Sequence, residues 1–258
     1  MALIGARIFP VADLARTVET LPGLASARPL WTALIATLSF AALARWLRGV
    51  SFSGAIAGTG VCFLLVLGGG PAAFAALVAV FALTWTSTRL GYQRKKKLGT
   101  AEKLGGRTGS QVLANLAVAA SCAGLSAFYA GNAVLLLAAC AALSEAAADT
   151  VSSEVGQARS EKARLITTWE EVAAGTDGAV SWAGTLAGVA AAAVVTLVCI
   201  LSGLIPLKWS GISIAAAVAG MIADSFLGAL LERPKLLNNN AVNFLGTLVA
   251  AATASLLV

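Results

Sequence analysis

Long apolar runs separated by short polar stretches dominate the chain. Four stretches carry at most one charged residue: Arg48 to Arg89, Arg107 to Glu145, Asp177 to Asp224 (which contains Lys208), and everything after Lys235. A helix that crosses a bilayer needs about 20 apolar residues. Dividing the runs at Gly, Pro and Asn clusters predicts eight spans, at about 29–47, 51–68, 71–90, 109–128, 131–154, 178–203, 208–231 and 240–258. The pattern therefore predicts an all-α, polytopic integral membrane helix bundle formed by residues 29–258.

Residues 1–28 have a different pattern. Val11, Leu14, Val18 and Leu21 follow one another at helical spacing, with charged residues between them. This spacing is typical of an amphipathic helix that lies at a membrane surface. We expect an interfacial segment here, not a span.

Composition agrees with a membrane protein. Of 258 residues, 59% are apolar and 12% are charged, against about 25% charged in an ordinary soluble domain. These values exclude a soluble enzyme, a secreted disulfide scaffold and a disordered chain, and no nucleic-acid partner is expected. The chain has no His, so any chemistry uses carboxylates, amides, hydroxyls and cations.

The charge distribution predicts the orientation. Between Arg89 and Arg107 there are seven basic residues and one acidic residue, which accounts for the whole net charge of +6. Since Lys and Arg in short loops stay on the cytoplasmic side, loops 91–107 and 156–177 are expected in the cytoplasm and the C-terminus outside. The membrane would be a bacterial inner membrane or an organelle membrane. The run Arg94 to Lys97 also fits a simple topology signal with affinity for anionic lipid.

Four acidic residues interrupt the apolar spans: Glu145, Asp149, Glu154 and Asp224. Charges inside a span are costly and mark candidate functional sites. Glu145 and Asp149 share one helix face, since they are four residues apart. Glu154 is about 140° away around the helix, so it joins them only if the helix unwinds near Gly156.

The predicted orientation puts further polar residues at the same depth. They come from the starts of the fourth, sixth and eighth spans: Arg107, Gln111, Asn115, Thr176, Asp177 and Asn243. Polar groups from five spans therefore converge, which indicates a pocket open to the cytoplasm. Carboxylates without His are oxygen ligands for a hard cation such as Mg2+.

Anion-binding groups lie nearby in the sequence. Lys103 and Arg107 supply cations for phosphate oxygens, and Gly175-Thr176-Asp177-Gly178 is expected to offer free backbone amides at the start of the sixth span. Metal, cations and amides together suggest a nucleotide or diphosphate, and the surrounding lipid suggests an amphiphilic co-substrate. Structural alternatives stay open: a plain helix cap at residues 175–178, interhelical hydrogen bonds among Glu145, Gln111 and Asn115, or pairing of Asp149 and Asp224 with arginines that holds helices together.

Five blocks of sequence carry a resemblance to a known family. They are Gly105-Gly106-Arg107 with Gln111 to Asn115, Ala148-Asp149-Thr150 with Ser153 to Gly156, Gly175 to Ser181 with Gly184-Thr185, Asp224 to Ala229, and Val242 to Leu245. In this order they resemble the integral-membrane family long called domain of unknown function ninety-two, which includes transmembrane protein nineteen and the plant phytyl-phosphate kinase. The order of blocks is also similar to that of dolichol and phytol kinases and CDP-lipid synthases.

The resemblance implies a kinase that converts an isoprenyl monophosphate to the diphosphate, with CTP or another nucleoside triphosphate as donor. By matching block, Asp149, Glu154 and Asp224 would hold Mg2+. The phosphates would contact Arg107 and the loop from Gly175 to Gly178, oriented by Gln111, Asn115 and Asn243. The family commonly has Asn where this chain has Asp177, which makes Asp177 a further candidate metal ligand.

Two rival functions follow from the same residues. A cytidylyltransferase that forms a CDP-activated lipid would use the same metals and cations. A carrier or flippase for polyprenyl phosphates would use the carboxylates as coupling sites. The pairs Gly54/Gly58 and Gly184/Gly188 have the spacing of closely packed helices. We expect this packing within one chain, with a homodimer as a further possibility.

Overall fold

The computed structural model describes residues 30–101, 105–159 and 162–258. The predicted surface helix at 1–28 and the candidate residue Lys103 lie outside these ranges. The helices are α1 (Leu30–Trp46), α2 (Phe52–Arg89), α3 (Tyr92–Leu98), α4 (Gly109–Phe128), α5 (Ala133–Arg159), α6 (Trp182–Leu201), α7 (Ser210–Leu227) and α8 (Asn239–Leu256). Short strands β1 (Ala163–Leu165), β2 (Glu171–Val172) and β3 (Ala179–Val180) connect α5 to α6.

Helix α2 is a hairpin of two helical arms. Its 38 residues would extend about 57 Å as one straight helix, nearly twice the thickness of a bilayer core of about 30 Å. Gly70 has φ +57° and ψ −150°, outside the helical region, and Pro71 begins the second arm, where its missing N–H costs nothing. At the end of that arm Arg89 donates to Leu47 O (2.8 Å), so the chain has returned to the point where α2 began.

Helix α5 is the centre of the bundle. Every residue from Leu137 to Ala148 is buried, and the run is rich in Ala. Small side chains let neighbouring helices approach closely. Gly184 and Gly188 of α6 are examples, since a Cβ on them would lie 2.6 Å from Ser152 O and 2.8 Å from Ala148 O. The expected packing of this glycine pair within one chain is confirmed.

The all-α integral membrane class is confirmed. Five described helices are long and apolar enough to cross a membrane by length and composition, with α2 counted as one: α2, α4, α5, α6 and the segment Leu207–Glu232. Helical segments occupy all eight predicted spans, but eight membrane crossings stay a prediction.

The predicted loops contain more structure than expected. Loop 91–107 contains α3, and the segment 156–177 begins as the last turn of α5 and continues into a three-stranded antiparallel sheet in the order β2-β1-β3. Lys162 donates to Glu171 (2.8 Å), and this hydrogen bond holds the pKa of the Glu171 carboxyl below its usual value. The sheet carries the turn at residues 175–178 back to one end of the bundle.

Candidate active site

A polar cleft of about 320 Å³ opens at this end of the bundle. Five segments form its walls: the start of α4, the second half of α5, the turn before β3, the end of α7 and the start of α8. Eleven candidate residues from the sequence line it: Arg107, Gln111, Asn115, Asp149, Glu154, Gly175, Thr176, Asp177, Gly178, Asp224 and Asn243. All described candidate residues therefore lie around one cleft.

Asp149 and Asp224 form its floor. They come from α5 and α7, both line the cleft, and they lie close enough for their charges to interact. Two buried oxygens at this level, Asp224 Oδ2 and Asn243 Oδ1, have no hydrogen-bond partner among the described residues. Buried polar atoms without a partner are uncommon in native structures, so the floor presents oxygens that are free to accept a bond from a ligand.

Glu145 lies one helical turn below Asp149 and is 1% exposed. Its Oε1 is a third buried oxygen without a partner in the described structure. Two glycines make room for its side chain: a Cβ on Gly220 would lie 2.7 Å from Glu145 Cγ, and one on Gly246 would lie 2.6 Å from Glu145 Oε1. Sequence reasoning noted Glu145 but left it out of the candidate site, because its buried position depends on glycines in α7 and α8.

Arg107 faces the floor from the segment before α4. Its backbone is fixed to the connection between α1 and α2, since Arg107 N donates to Gly49 O (3.0 Å) and Ser51 N donates to Arg107 O (2.9 Å). Its guanidinium donates to Thr150 Oγ1 (3.3 Å) and lies within electrostatic range of Asp149. The result is a positioned cation beside the carboxylates.

Gly106 makes this placement possible. It has φ +77°, and a Cβ would lie 2.6 Å from Val50 N. An L side chain rarely adopts this conformation, and no side chain fits in this space. Glycine at this position lets the backbone before Arg107 lie against the α1–α2 connection.

The three amide side chains have different partners. The Gln111 side-chain oxygen accepts from Thr108 N (2.7 Å) and closes a capping box at the start of α4. Asn115 Nδ2 donates to Gln111 O (2.9 Å), and Asn243 Nδ2 donates to Asn115 Oδ1 (3.4 Å). The structure thus uses the Gln111 oxygen as a helix cap, whereas Asn243 keeps its own oxygen free.

The predicted position of residues 175–178 at a helix start is wrong. Gly175 and Gly178 have φ +90° and +75°, values that a right-handed helix does not contain. Helix α6 begins later, at Trp182, with Ser181 as its N-cap. Residues 175–178 instead form a turn before β3. A hydrogen bond from Ile166 N to Gly178 O (3.0 Å) holds this turn in place.

Glu154 has a partner of its own. Helix α5 continues without unwinding to Arg159, and the Glu154 carboxylate forms an ion pair with Lys95 of α3. Lys95 is fully buried and also donates to Ser87 O (3.2 Å) and Thr88 O (2.7 Å). This pairing argues against the predicted role of Glu154 as a metal ligand. Lys95 was missed because nothing in the run Arg94 to Lys97 distinguishes it from its neighbours.

The oxygen donors of the floor are of the kind that a hard cation prefers. Among the described residues no three His, Cys, Asp or Glu side chains converge into a group that could hold a metal. The predicted ligand set of Asp149, Glu154, Asp177 and Asp224 is therefore not assembled by the protein alone. Mg2+ is usually held by one or two carboxylates together with substrate phosphates and water. The paired Asp149 and Asp224 and the free Asn243 oxygen match that requirement.

Comparisons with known proteins give one family. The sequence model of the family described as "Integral membrane protein DUF92" matches residues 35–251. An uncharacterized membrane protein of Methanocaldococcus jannaschii is 40% identical over 174 residues, 67% of this chain and 71% of that protein. Protein VTE6, chloroplastic, of Arabidopsis thaliana is 32% identical over 247 residues, 90% of this chain and 74% of that protein. An uncharacterized membrane protein of Synechocystis is 37% identical over 182 residues, 69% of this chain and 70% of that protein. No solved structure matches the chain.

Proposed function

Because the chain belongs to the DUF92 family of integral membrane proteins, and that family includes a plant phytyl-phosphate kinase, we propose that it phosphorylates an isoprenyl monophosphate to the diphosphate. The donor is a nucleoside triphosphate, with CTP favoured by the resemblance. The reaction takes place in the polar cleft, which faces the cytoplasm in the orientation that the loop charges predict.

The charge of the cleft is the observation that carries this proposal. Among the described residues its lining contains five carboxylates, Asp149, Glu154, Asp177, Asp224 and Glu232, and one basic residue, Arg107. Glu154 is neutralised by its ion pair with Lys95, so the other four carboxylates make the cleft acidic. A triphosphate would be repelled by such a surface unless divalent cations accompanied it. A carboxylate-lined cleft beside one positioned arginine therefore favours a metal-bound nucleotide as ligand.

The residues then take distinct tasks. Asp149 and Asp224 would hold Mg2+, which neutralises charge on the transferring phosphoryl group and its leaving group. Arg107 binds an oxygen of the acceptor phosphate. Amides of the turn at residues 175–178 contact donor phosphates, and Asn243 orients the group beside the floor.

Phosphoryl transfer suits a chain without His. An oxygen of the acceptor monophosphate attacks the γ-phosphorus, the bond to the bridging oxygen breaks, and the nucleoside diphosphate leaves with the electron pair. The acceptor phosphate is already ionised at neutral pH, so no side chain has to remove a proton. The protein supplies position and charge stabilisation, which is most of what this reaction requires.

Product analysis tests the proposal. Purified protein in lipid nanodiscs is incubated with Mg2+, a nucleoside triphosphate labelled at the γ-phosphate, and a panel of prenyl monophosphates, and the lipids are read by mass spectrometry. Label in a prenyl diphosphate supports the kinase. A CMP group in the lipid would establish the cytidylyltransferase. In a parallel assay with sealed liposomes, transport without nucleotide and without nucleotide turnover would establish a carrier.

Two variants connect the activity to the floor. Asp149→Asn and Asp224→Asn remove a negative charge without changing side-chain size, and we expect each to reduce Mg2+-dependent turnover by about 100-fold or more, the range for loss of one transition-state contact. Glu171→Gln, a carboxylate in the sheet and outside the cleft, is the matched control. Near-normal turnover in either aspartate variant would remove that residue from the metal site.

A further inference from the structure

A second cavity lies on the other side of Arg107. It has a volume of about 360 Å³ and is lined mainly by α1, both arms of α2, and α4. Its interior is apolar, with Phe40, Val61, Leu77 and Phe81 among its walls. The part of the second α2 arm that lines the cavity extends from Arg89 to Leu77, about 18 Å along the helix axis. The cavity is therefore elongated.

The charge at one end of this cavity is opposite to that of the polar cleft. Three arginines, Arg48, Arg89 and Arg107, line it, and no acidic residue does so among the described residues. An anionic headgroup is attracted to such an end, whereas the carboxylate-lined cleft repels it unless cations are present. The two spaces are thus suited to different partners.

The two spaces meet at shared residues. Arg107, Gln111 and Asn115 line both the apolar cavity and the polar cleft. A phosphate bound at Arg107 would therefore lie at the boundary of the two spaces, with the rest of its molecule in the apolar cavity. An amphiphile with a phosphate at one end and a hydrocarbon chain at the other matches this arrangement.

Gly58 shows that the space is open inside the bundle. It is half-buried and lines the cavity, yet a Cβ placed on it would meet no atom within 4 Å. Protein interiors are normally packed to the density of organic crystals. Gly54, one turn nearer to Arg107, is closed in, since its Cβ would lie 2.2 Å from Arg107 O. Gly58 lies about 6 Å below Gly54 along the helix.

We infer that this cavity holds the isoprenyl chain of the acceptor, with the monophosphate at Arg107 and the first units of the chain passing Gly58. This assignment rests on the proposed kinase function and identifies where its lipid substrate binds. A side chain at position 58 would fill the path of the chain one turn below the headgroup. Short prenyl chains would still fit above it.

The test compares Gly58→Leu with Gly60→Leu. Gly60 lies on the same helix, about 200° around the axis, where it is exposed and a Cβ also meets no atom within 4 Å. Both variants are assayed with dimethylallyl, geranyl, farnesyl and geranylgeranyl monophosphates. We expect Gly58→Leu to raise KM for the two longest substrates by at least about tenfold, or about 1.4 kcal/mol, and to change KM for the shortest one little. Gly60→Leu should behave like the unmodified chain.

A binding measurement without nucleotide keeps the test independent of turnover. A farnesyl monophosphate analogue with a photoreactive group on its last isoprene unit is crosslinked to the protein in nanodiscs, and the adducts are mapped by mass spectrometry. We expect adducts near Phe40 and near Leu77 to Phe81, competed by farnesyl monophosphate and reduced in Gly58→Leu. Adducts confined to exposed positions such as Leu186 and Leu197 would overturn the inference. If the leucine variant does not fold, Gly58→Ala should show a smaller change in the same direction.

The outcomes separate the two proposals. If the unmodified chain forms a prenyl diphosphate but Gly58→Leu and Gly60→Leu have the same KM series, the kinase stands and the cavity assignment fails. If no prenyl diphosphate forms with any donor, the proposed function fails, and the crosslinks alone show whether the cavity takes a prenyl chain.

Discussion

The buried ion pair between Lys95 and Glu154 makes a quantitative prediction about stability. The Lys95 side chain is 0% exposed and that of Glu154 is 13% exposed. Lys95 joins α3 to the end of α2 through two carbonyl oxygens and to α5 through Glu154. Removing one member of a buried ion pair leaves an uncompensated charge, whereas removing both often costs little.

The two single variants should differ in cost. Glu154→Gln leaves a buried ammonium group without a counter-charge, and we expect a loss of about 3–5 kcal/mol in unfolding free energy. Lys95→Met leaves a carboxylate that reaches the edge of the polar cleft and can bind water there, so we expect a smaller loss of about 1–3 kcal/mol. The double variant should return to within about 1 kcal/mol of the unmodified chain.

Reversible unfolding in detergent micelles, followed by circular dichroism, measures these free energies. A double-mutant cycle then isolates the interaction between the two residues. Lys96→Met is the matched control, since Lys96 is an exposed neighbour on the same short helix and should change the free energy by less than about 0.5 kcal/mol. Strictly additive single effects would refute the ion pair as the reason that Lys95 is buried.

The same variants test the predicted metal role of Glu154. If Glu154 acts only by holding Lys95, the double variant should be stable and should keep Mg2+-dependent turnover. A stable double variant that has lost its response to Mg2+ would show that Glu154 contributes to the metal site in spite of its partner.

Two further predictions use glycines that lie against the site. Gly106→Ala introduces a strained conformation and a Cβ 2.6 Å from a backbone nitrogen, so it should lower thermal stability by about 1–3 kcal/mol and raise KM for phosphorylated substrates; Gly105→Ala, which meets no atom within 4 Å, should do neither. Gly246→Ala places a Cβ 2.6 Å from Glu145 Oε1 and should reduce kcat more than KM, while Gly211→Ala in open space should leave both unchanged. Equal effects of a variant and its control would contradict the close contacts described for that position.

The helices were predictable because membrane spans depend on length and hydrophobicity, which are read along the chain. The hairpin at Gly70-Pro71 is an example, since the glycine and the proline divide an apolar run too long for one crossing. The strands between α5 and α6 were not predictable. They contain two or three residues each, too few for an alternating pattern to be recognised.

For the candidate site, the sequence predicted the depth in the bundle at which the polar residues lie. Orientation placed polar residues of five segments near one end of the bundle, and the described ones line one cleft. Which side chains touch was not predictable, because contacts depend on the rotation of each helix about its axis. Asp149 and Asp224 line the cleft together, whereas Glu154, at its edge, forms an ion pair with Lys95. Neighbouring residues in α3 and α7 decide this difference.

Close approaches of backbone suit this fold to the proposed reaction, which depends on the position of its groups. A Cβ on Gly106 would lie 2.6 Å from Val50 N, one on Gly178 would lie 2.4 Å from Ala229 N, and one on Gly246 would lie 2.6 Å from Glu145 Oε1. Gly106 and Gly178 thus hold their segments against the backbone of another element at a distance that a side chain would not allow, and Gly246 leaves room for the end of the Glu145 side chain. Phosphoryl transfer needs its groups held in line with little movement. Contacts between segments that are distant in the sequence would hold these groups in position, and the chain does so with no His.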